Sequence, residues 1–174
     1  MVTQVDQAPD QYQLDIIAKQ LGKAPLGLDA IAASDEQGVP LVLRMSPIID
    51  GRPFPTLYWL CDTRLNLALS KLEAKGLIKQ LESRLSEDTA LLAAYHQSHE
   101  DYVSRRWHYM TQAQRQQIES RGYRNILESR GIGGISNWNQ VRCLHMQYAH
   151  HLCGSNVIGE WLDAEFSIAD SLST

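Results

Sequence analysis

The hydrophobic period of this chain changes once, at Asp62, and that change restricts the fold more than any other feature. Before it, "LDAIAASDEQGVPLVLRMSPIIDGRPFPTLYWLC" sets apolar β-formers between "DEQG" and "DGRPFP", which are turn chemistries rather than helix interiors. After it, Leu65, Leu69 and Leu72 recur at i, i+4, i+7, with Lys71 and Lys75 at the end the helix dipole favours and Gly76 to terminate the run. Strands first and helices afterwards is an α+β pattern. Three short antiparallel strands are expected near 28–33, 39–45 and 57–61, packed on one side by a set of helices in a single domain.

The remaining elements follow from caps and stops. Tyr12, Ile16, Ile17 and Leu21 give a helix over about 11–21, started by Asp10 and ended by Gly22. "GLIKQLESRL" is a short helix, and Ser86, followed by Glu87 and Asp88, opens a long one reaching about Tyr109. Thr111 with Gln114 forms a capping box for a helix ending at Gly122, and Asn137 with Gln140 repeats the pattern for a last helix over 138–152, stopped by Gly154. Between them "SRGIGGISN" reads as a loop, because Gly131, Gly133 and Gly134 disfavour either regular element. Residues 1–9 and 164–174 are polar enough to fray, which leaves 10–163 as the domain.

Charge and composition exclude several classes. Sixteen basic residues are scattered among 20 acidic ones for a net charge of −4, which argues against a general nucleic-acid surface. No window approaches the ~18 consecutive apolar residues that cross a bilayer, and "MVTQVDQAPDQYQ" has neither the basic start nor the apolar run of a signal, so a cytoplasmic protein is expected. Cys61, Cys143 and Cys153 cannot all pair, and the last two would stand roughly 15 Å apart on a shared helix. Free thiols are expected.

The stretch "CLHMQYAHH", residues 143–151, holds one of the three cysteines and three of the six histidines. On a helix over 138–152, Trp138, Val141, Leu144, His145, Tyr148, Ala149 and Leu152 share the core face. His145 is therefore either a buried histidine satisfied by one or two hydrogen bonds or a functional group. Cys143 and His150 share an azimuth but stand two turns apart, roughly 10 Å, too far for a nucleophilic pair. A reactive Cys143 would need His99 or Glu100 of "HEDYVSRR" as base, although that segment also reads as a solvated helix with an Asp101–Arg105 ion pair and some tyrosine burial. Cys-x-His puts its side chains on opposing faces of a regular helix, so Cys143 and His145 could chelate together only if the helix began later than Asn137 suggests. No cofactor or metal site is expected, with zinc the lesser alternative.

An anionic substrate would need forked guanidinium donors. Arg44, in the otherwise apolar "PLVLRMSP", either lies on a solvated strand face or has a buried partner. "GIGG" could lend backbone N–H groups to a phosphate, yet it lacks the P-loop lysine and the dinucleotide fingerprint. The aromatics of "FPTLYWL" read as core. The expected site is a cleft between the last helix, the "HEDY" helix and the sheet. In it Cys143 acts as nucleophile or ligand contact, His145 or His99 as base with Glu100 nearby, and Arg44 and Arg142 clamp an anionic small molecule, phosphorylated or not. Tyr58, Arg105, His150 and Asn156 are further candidate ligand contacts.

"GRPFPTLYWL", "LEAKG", "HEDYVSRR", "VRCLHMQYAHHL" and "NVIGE" follow one another between about residues 39 and 160, and in this order they resemble the signatures of the bacterial "domain of unknown function 501" family. The resemblance implies no particular reaction. In actinobacteria such genes lie near a septum-formation protein and an exopolyphosphatase-type enzyme, which points towards division or phosphate metabolism by association. The alternative reading follows from it: a non-catalytic interaction protein accessory to either process, its Cys/His cluster packing the core. Where relatives often have "LTCP" this chain has "LCDT", so no shared role is carried to Cys61.

Overall fold

The computed structural model describes residues 1–173. Thr3–Gln7 (β1), Leu28–Ser34 (β2) and Pro40–Met45 (β3) precede a small hairpin of Ile48–Ile49 (β4) and Arg52–Pro53 (β5), and Tyr58–Leu60 (β6) follows. The main sheet is antiparallel in the order β1-β2-β3-β6. The hairpin turns on Asp50 and Gly51, whose φ of 50° and 72° are those a tight two-residue hairpin requires. The three expected strands are present, and β1 adds a fourth. It is a polar edge strand whose register against β2 shifts between Gln4 and Gln7. Asp6, inside that irregularity at φ 45°, brings its carboxylate to 2.6 Å from Arg44.

Helices Gln11–Leu21 (α1), Thr63–Ala74 (α2), Leu77–Glu87 (α3), Thr89–Tyr109 (α4), Gln112–Ser120 (α5), Arg124–Ser129 (α6), Leu144–His151 (α7) and Val157–Phe166 (α8) complete the fold, with 3-10 turns at Ile132–Gly134 and Ile168–Ser173. The helices do not all lie on one side of the sheet. Val42 and Leu60 pack with Leu65 and Leu69 of α2, whereas Leu43, Ile31 and Trp59 pack on the other face with Ile17 of α1. Covering both faces explains why β3 reads as a near-continuous apolar run. Among the described residues no helix is long and apolar enough to cross a membrane.

Asp10 and Gln13 form a full capping box on α1, as do Thr111 and Gln114 on α5, and Asp62 accepts from Arg64 and Leu65 at the start of α2. Two helix starts differ from expectation. α3 runs on to Glu87, so Asp88 rather than Ser86 caps α4. Asn137 and Gln140 start no helix: the Asn137 side chain accepts from Asn139 N–H and its carbonyl from Gln140 N–H, closing a local turn. Beyond that turn the Tyr95 hydroxyl takes the Gln140 carbonyl and Glu82 takes the Val141 N–H, so the chain stays extended until Leu144. Both polar ends take up regular structure, β1 at the start and the final 3-10 turn at the end, where Ile168 is buried.

Candidate functional site

The late start of α7 decides the geometry of the Cys/His stretch. Cys143 is the extended residue before the helix, with φ −159° and ψ 128°, so its side chain reaches the same side as His145. Sγ lies 3.3 Å from His145 Nδ1. His145 Nε2 is 3.2 Å from the Asn66 carbonyl and 3.1 Å from Ser70 Oγ. A carbonyl only accepts, so Nε2 carries a proton, and in the neutral ring it is the Nδ1 lone pair that faces the thiol. Glu73 Oε1 stands 3.3 Å from the same Nδ1 and accepts the Leu144 N–H at 2.7 Å. Cys143 gives α7 no side-chain cap, and this carboxylate replaces it. Asn66, Ser70 and Glu73 are i, i+4 and i+7 on α2, a polar stripe beside the buried Leu65 and Leu69.

The sulfur, the ring nitrogen and the carboxylate oxygen all lie within 4.8 Å of one another, and all three residues are half-buried. The Cys143 contact, reinforced by Glu73 and working against burial, raises the His145 imidazole to about 9. The ring can thus hold a proton taken from the thiol. Glu73 opposes the next step of nucleophilic catalysis, because a thiolate would sit beside a carboxylate. Glu73 also occupies the Leu144 N–H, the backbone donor that an oxyanion beside Cys143 would use.

His150, Asn156, Arg105 and Tyr58 do converge, but on one another. His150 is fully buried, with Nε2 at 2.8 Å from Asp101 Oδ2 and Nδ1 accepting from Asn156 Nδ2 at 3.2 Å. Asn156 also donates to Gln147 and caps α8 through Gly159 N–H. Arg105 Nε is 2.7 Å from the same Asp101 oxygen, and the rings of Tyr58 and Tyr102 flank His150 at 6.1 and 5.2 Å. Burial works to raise the Asp101 carboxyl, but hydrogen bonds from His150 and Arg105 outweigh it and hold it at about 2. Burial lowers His150 despite Asp101. This polar knot ties α4, α7 and α8 to β6.

The "HEDYVSRR" segment is not a solvated face. The Asp101–Arg105 ion pair and the burial of Tyr102 follow expectation, but His99 and Arg106 are buried too, while Glu100 is exposed. His99 Nδ1 accepts the Ile132 N–H at 3.0 Å, its ring stacks on Trp138 at 5.0 Å, and its Nε2 has no partner among the described residues. Burial, with His96 and His150 adding, pushes it down to about 3. Arg44 is not on a solvated face either: it pairs with Asp6 and Asp29 and lies 4.5 Å over the Tyr109 ring. Neither His99 nor Arg44 is brought to Cys143.

Arg142 sits elsewhere again. Consecutive side chains of extended backbone diverge, so it points away from Cys143, into a cleft of about 360 Å³ shared with Arg130, Gly134, Ser136, Asn137 and Gln140. Neither guanidinium has a hydrogen bond or ion pair among the described residues. The "GIGG" segment, of which Gly134 lines the cleft, is held by Arg106, which donates to the carbonyls of Leu127, Arg130 and Gly131. A larger, mostly apolar cleft of about 800 Å³ lies between the end of α1 and the small hairpin, lined by Trp59 and Phe54. These two aromatics thus border a cavity, although Tyr58 is core as expected. Sequence reasoning missed Arg130, Ser70 and Glu73. For the latter two the available signal was the polar i, i+4, i+7 stripe on α2.

Among known families, residues 31–164 of the 174 match the one described as "Protein of unknown function (DUF501)". No curated protein and no solved structure matches the chain.

Proposed function

The chain belongs to the DUF501 family, and we propose that it binds an anionic small molecule, of the size of a phosphate ester, in the cleft between Arg130 and Arg142. One observation carries the reading: two guanidiniums without intramolecular partners line one polar cleft in a protein of net charge −4. Forked donors of this kind match phosphate or carboxylate oxygens, and Ser136, Asn137 and Gln140 add neutral donors around them. Glu82 also borders the cleft, but its carboxylate already accepts the Val141 N–H at 2.9 Å. The Arg130 carbonyl is clamped by Arg106, which limits the ordering that binding would require.

A thermal-shift screen of nucleotides, sugar phosphates, pyrophosphate and short polyphosphate tests this. A ligand at a hundredfold excess over its Kd adds about 2.7 kcal/mol, readily seen as a rise in Tm. Arg142→Ala, at an exposed and unpaired position, should abolish the shift and leave the unliganded Tm unchanged. If no anion shifts the protein, or if Arg142→Ala lowers the unliganded Tm, the proposal fails and a non-catalytic interaction role takes its place.

A further inference from the structure

The geometry points to a second site, independent of the anion cleft: we infer that Glu73, Cys143 and His145 bind a divalent cation that accepts sulfur, nitrogen and oxygen donors together, zinc foremost. A zinc ion with tetrahedral bonds to one sulfur, one imidazole nitrogen and one carboxylate oxygen spaces neighbouring donors roughly 3.3–3.6 Å apart. Here Nδ1 is 3.3 Å from both Sγ and Oε1, and Sγ and Oε1 lie within 4.8 Å of each other, so an ion held by all three draws the thiolate and the carboxylate together by up to about 1 Å.

Charge favours the same reading. Without a cation, ionising Cys143 places two negative groups within 4.8 Å of each other. A doubly charged ion neutralises thiolate and carboxylate together, with the imidazole as neutral third ligand. The supports around the donors are those a metal site uses. Nε2 is held by the Asn66 carbonyl and Ser70, which leaves Nδ1 as the coordinating atom, and Glu73 is anchored by the Leu144 N–H. The thiolate disfavours magnesium and calcium, which take oxygen donors. Three protein ligands at a half-exposed position leave a fourth place for water or substrate, the arrangement of reactive rather than purely structural zinc.

No local motif announces this site, because Glu73 comes from α2 and the other two residues straddle the start of α7. Cys-x-His can chelate when the cysteine is extended and the histidine lies in the first helical turn, which is the condition the late start of α7 meets.

The test uses the full-length, untagged protein, stripped with a chelator and titrated with zinc(II) or cobalt(II). One ion should bind per chain, and the cobalt form should show thiolate-to-metal charge-transfer absorption in the near ultraviolet. Cys143→Ser should remove that band. Glu73→Gln keeps an oxygen for the Leu144 N–H, so it should leave the metal-free Tm unchanged while weakening zinc binding at least tenfold. Arg142→Ala and Cys61→Ser should retain the band, which separates this site from the anion cleft and from the buried thiol. Less than stoichiometric uptake, a band that survives Cys143→Ser, or unchanged zinc affinity in Glu73→Gln overturns the inference. The first of these results would leave a thiol–imidazole pair in its place.

Discussion

Replacing Arg106 by leucine tests how the wall of the anion cleft is held. Arg106 is 2% exposed and has no ion pair with a carboxylate among the described residues. Its guanidinium instead donates to the carbonyls of Leu127, Arg130 and Gly131, at distances from 2.6 to 3.5 Å, in and just beyond the last turn of α6, and lies 5.2 Å from the centre of the Tyr102 ring. Burial pushes the guanidinium pKa down, opposed by Tyr102. Arg106→Leu strands the Leu127 and Arg130 carbonyls at about 1–3 kcal/mol each, Gly131 keeping the Gly134 N–H, while relief from burying a charge offsets part of this. A net loss of about 2 kcal/mol is expected, because carbonyls at a helix C-terminus already carry the partial negative charge that favours a cation. Urea unfolding should show the loss as a lower midpoint with unchanged slope. Hydrogen exchange should speed first at Ile132 and Gly134, whose N–H groups bond to His99 and to the Gly131 carbonyl. Arg106→Lys should fall between, since one ammonium cannot reach all three oxygens. A stability within about 1 kcal/mol of the parent, or above it, would refute the reasoning by showing that desolvation outweighs the clamp.

Two further outcomes are expected. A Cβ added at Gly154 would stand 2.6 Å from Arg105 Nε and Asp101 Oδ2 and 2.9 Å from His150 Nε2, so Gly154→Ala should push these partners from buried His150 and lower stability by about 2–3 kcal/mol. An unchanged Tm would mean that the knot relaxes at no cost. His99 is held neutral in the fold, lowered from 6.5 to about 3, whereas the unfolded chain takes up a proton near 6.5. Its contribution is therefore intact above pH 6.5 and lost as pH falls towards 3, with a slope of up to about 1.4 kcal/mol per pH unit. His99→Asn keeps an acceptor for Ile132 but cannot protonate, so it should flatten the stability profile between about pH 4 and 6, and an equally steep profile in the variant would assign the acid loss to other groups.

The difference between the two capping boxes shows what local sequence can and cannot decide. Thr111 with Gln114 and Asn137 with Gln140 carry the same signal, and the first forms a full box. The second does not, because Tyr95 and Glu82, from α4 and α3, take backbone groups at Gln140 and Val141 that a helix would have kept. The competing partners are 45 and 59 residues away, beyond the reach of any window that reads a helix start. The strands and α1, α2 and α5 were legible because their apolar spacing and caps agree with where they pack. β1 was not, since only Val5 in "TQVDQ" is apolar and its pairing comes from β2. The buried face of α4 was hidden for a different reason: it consists of Tyr95, His99, Tyr102 and Arg106, and a hydrophobic period cannot register a core face built from polar groups. The candidate metal centre inherits both difficulties. Its Cys-x-His half fails on any helix assumed to start at Asn137, and its third donor belongs to a polar stripe on α2 that has no meaning until α7 is laid against it. Polar residues repeating at helical spacing beside an apolar stripe, as Asn66, Ser70 and Glu73 do, mark a helix that offers hydrogen-bonding groups along the edge of its core face. Finding what accepts them requires the tertiary fold.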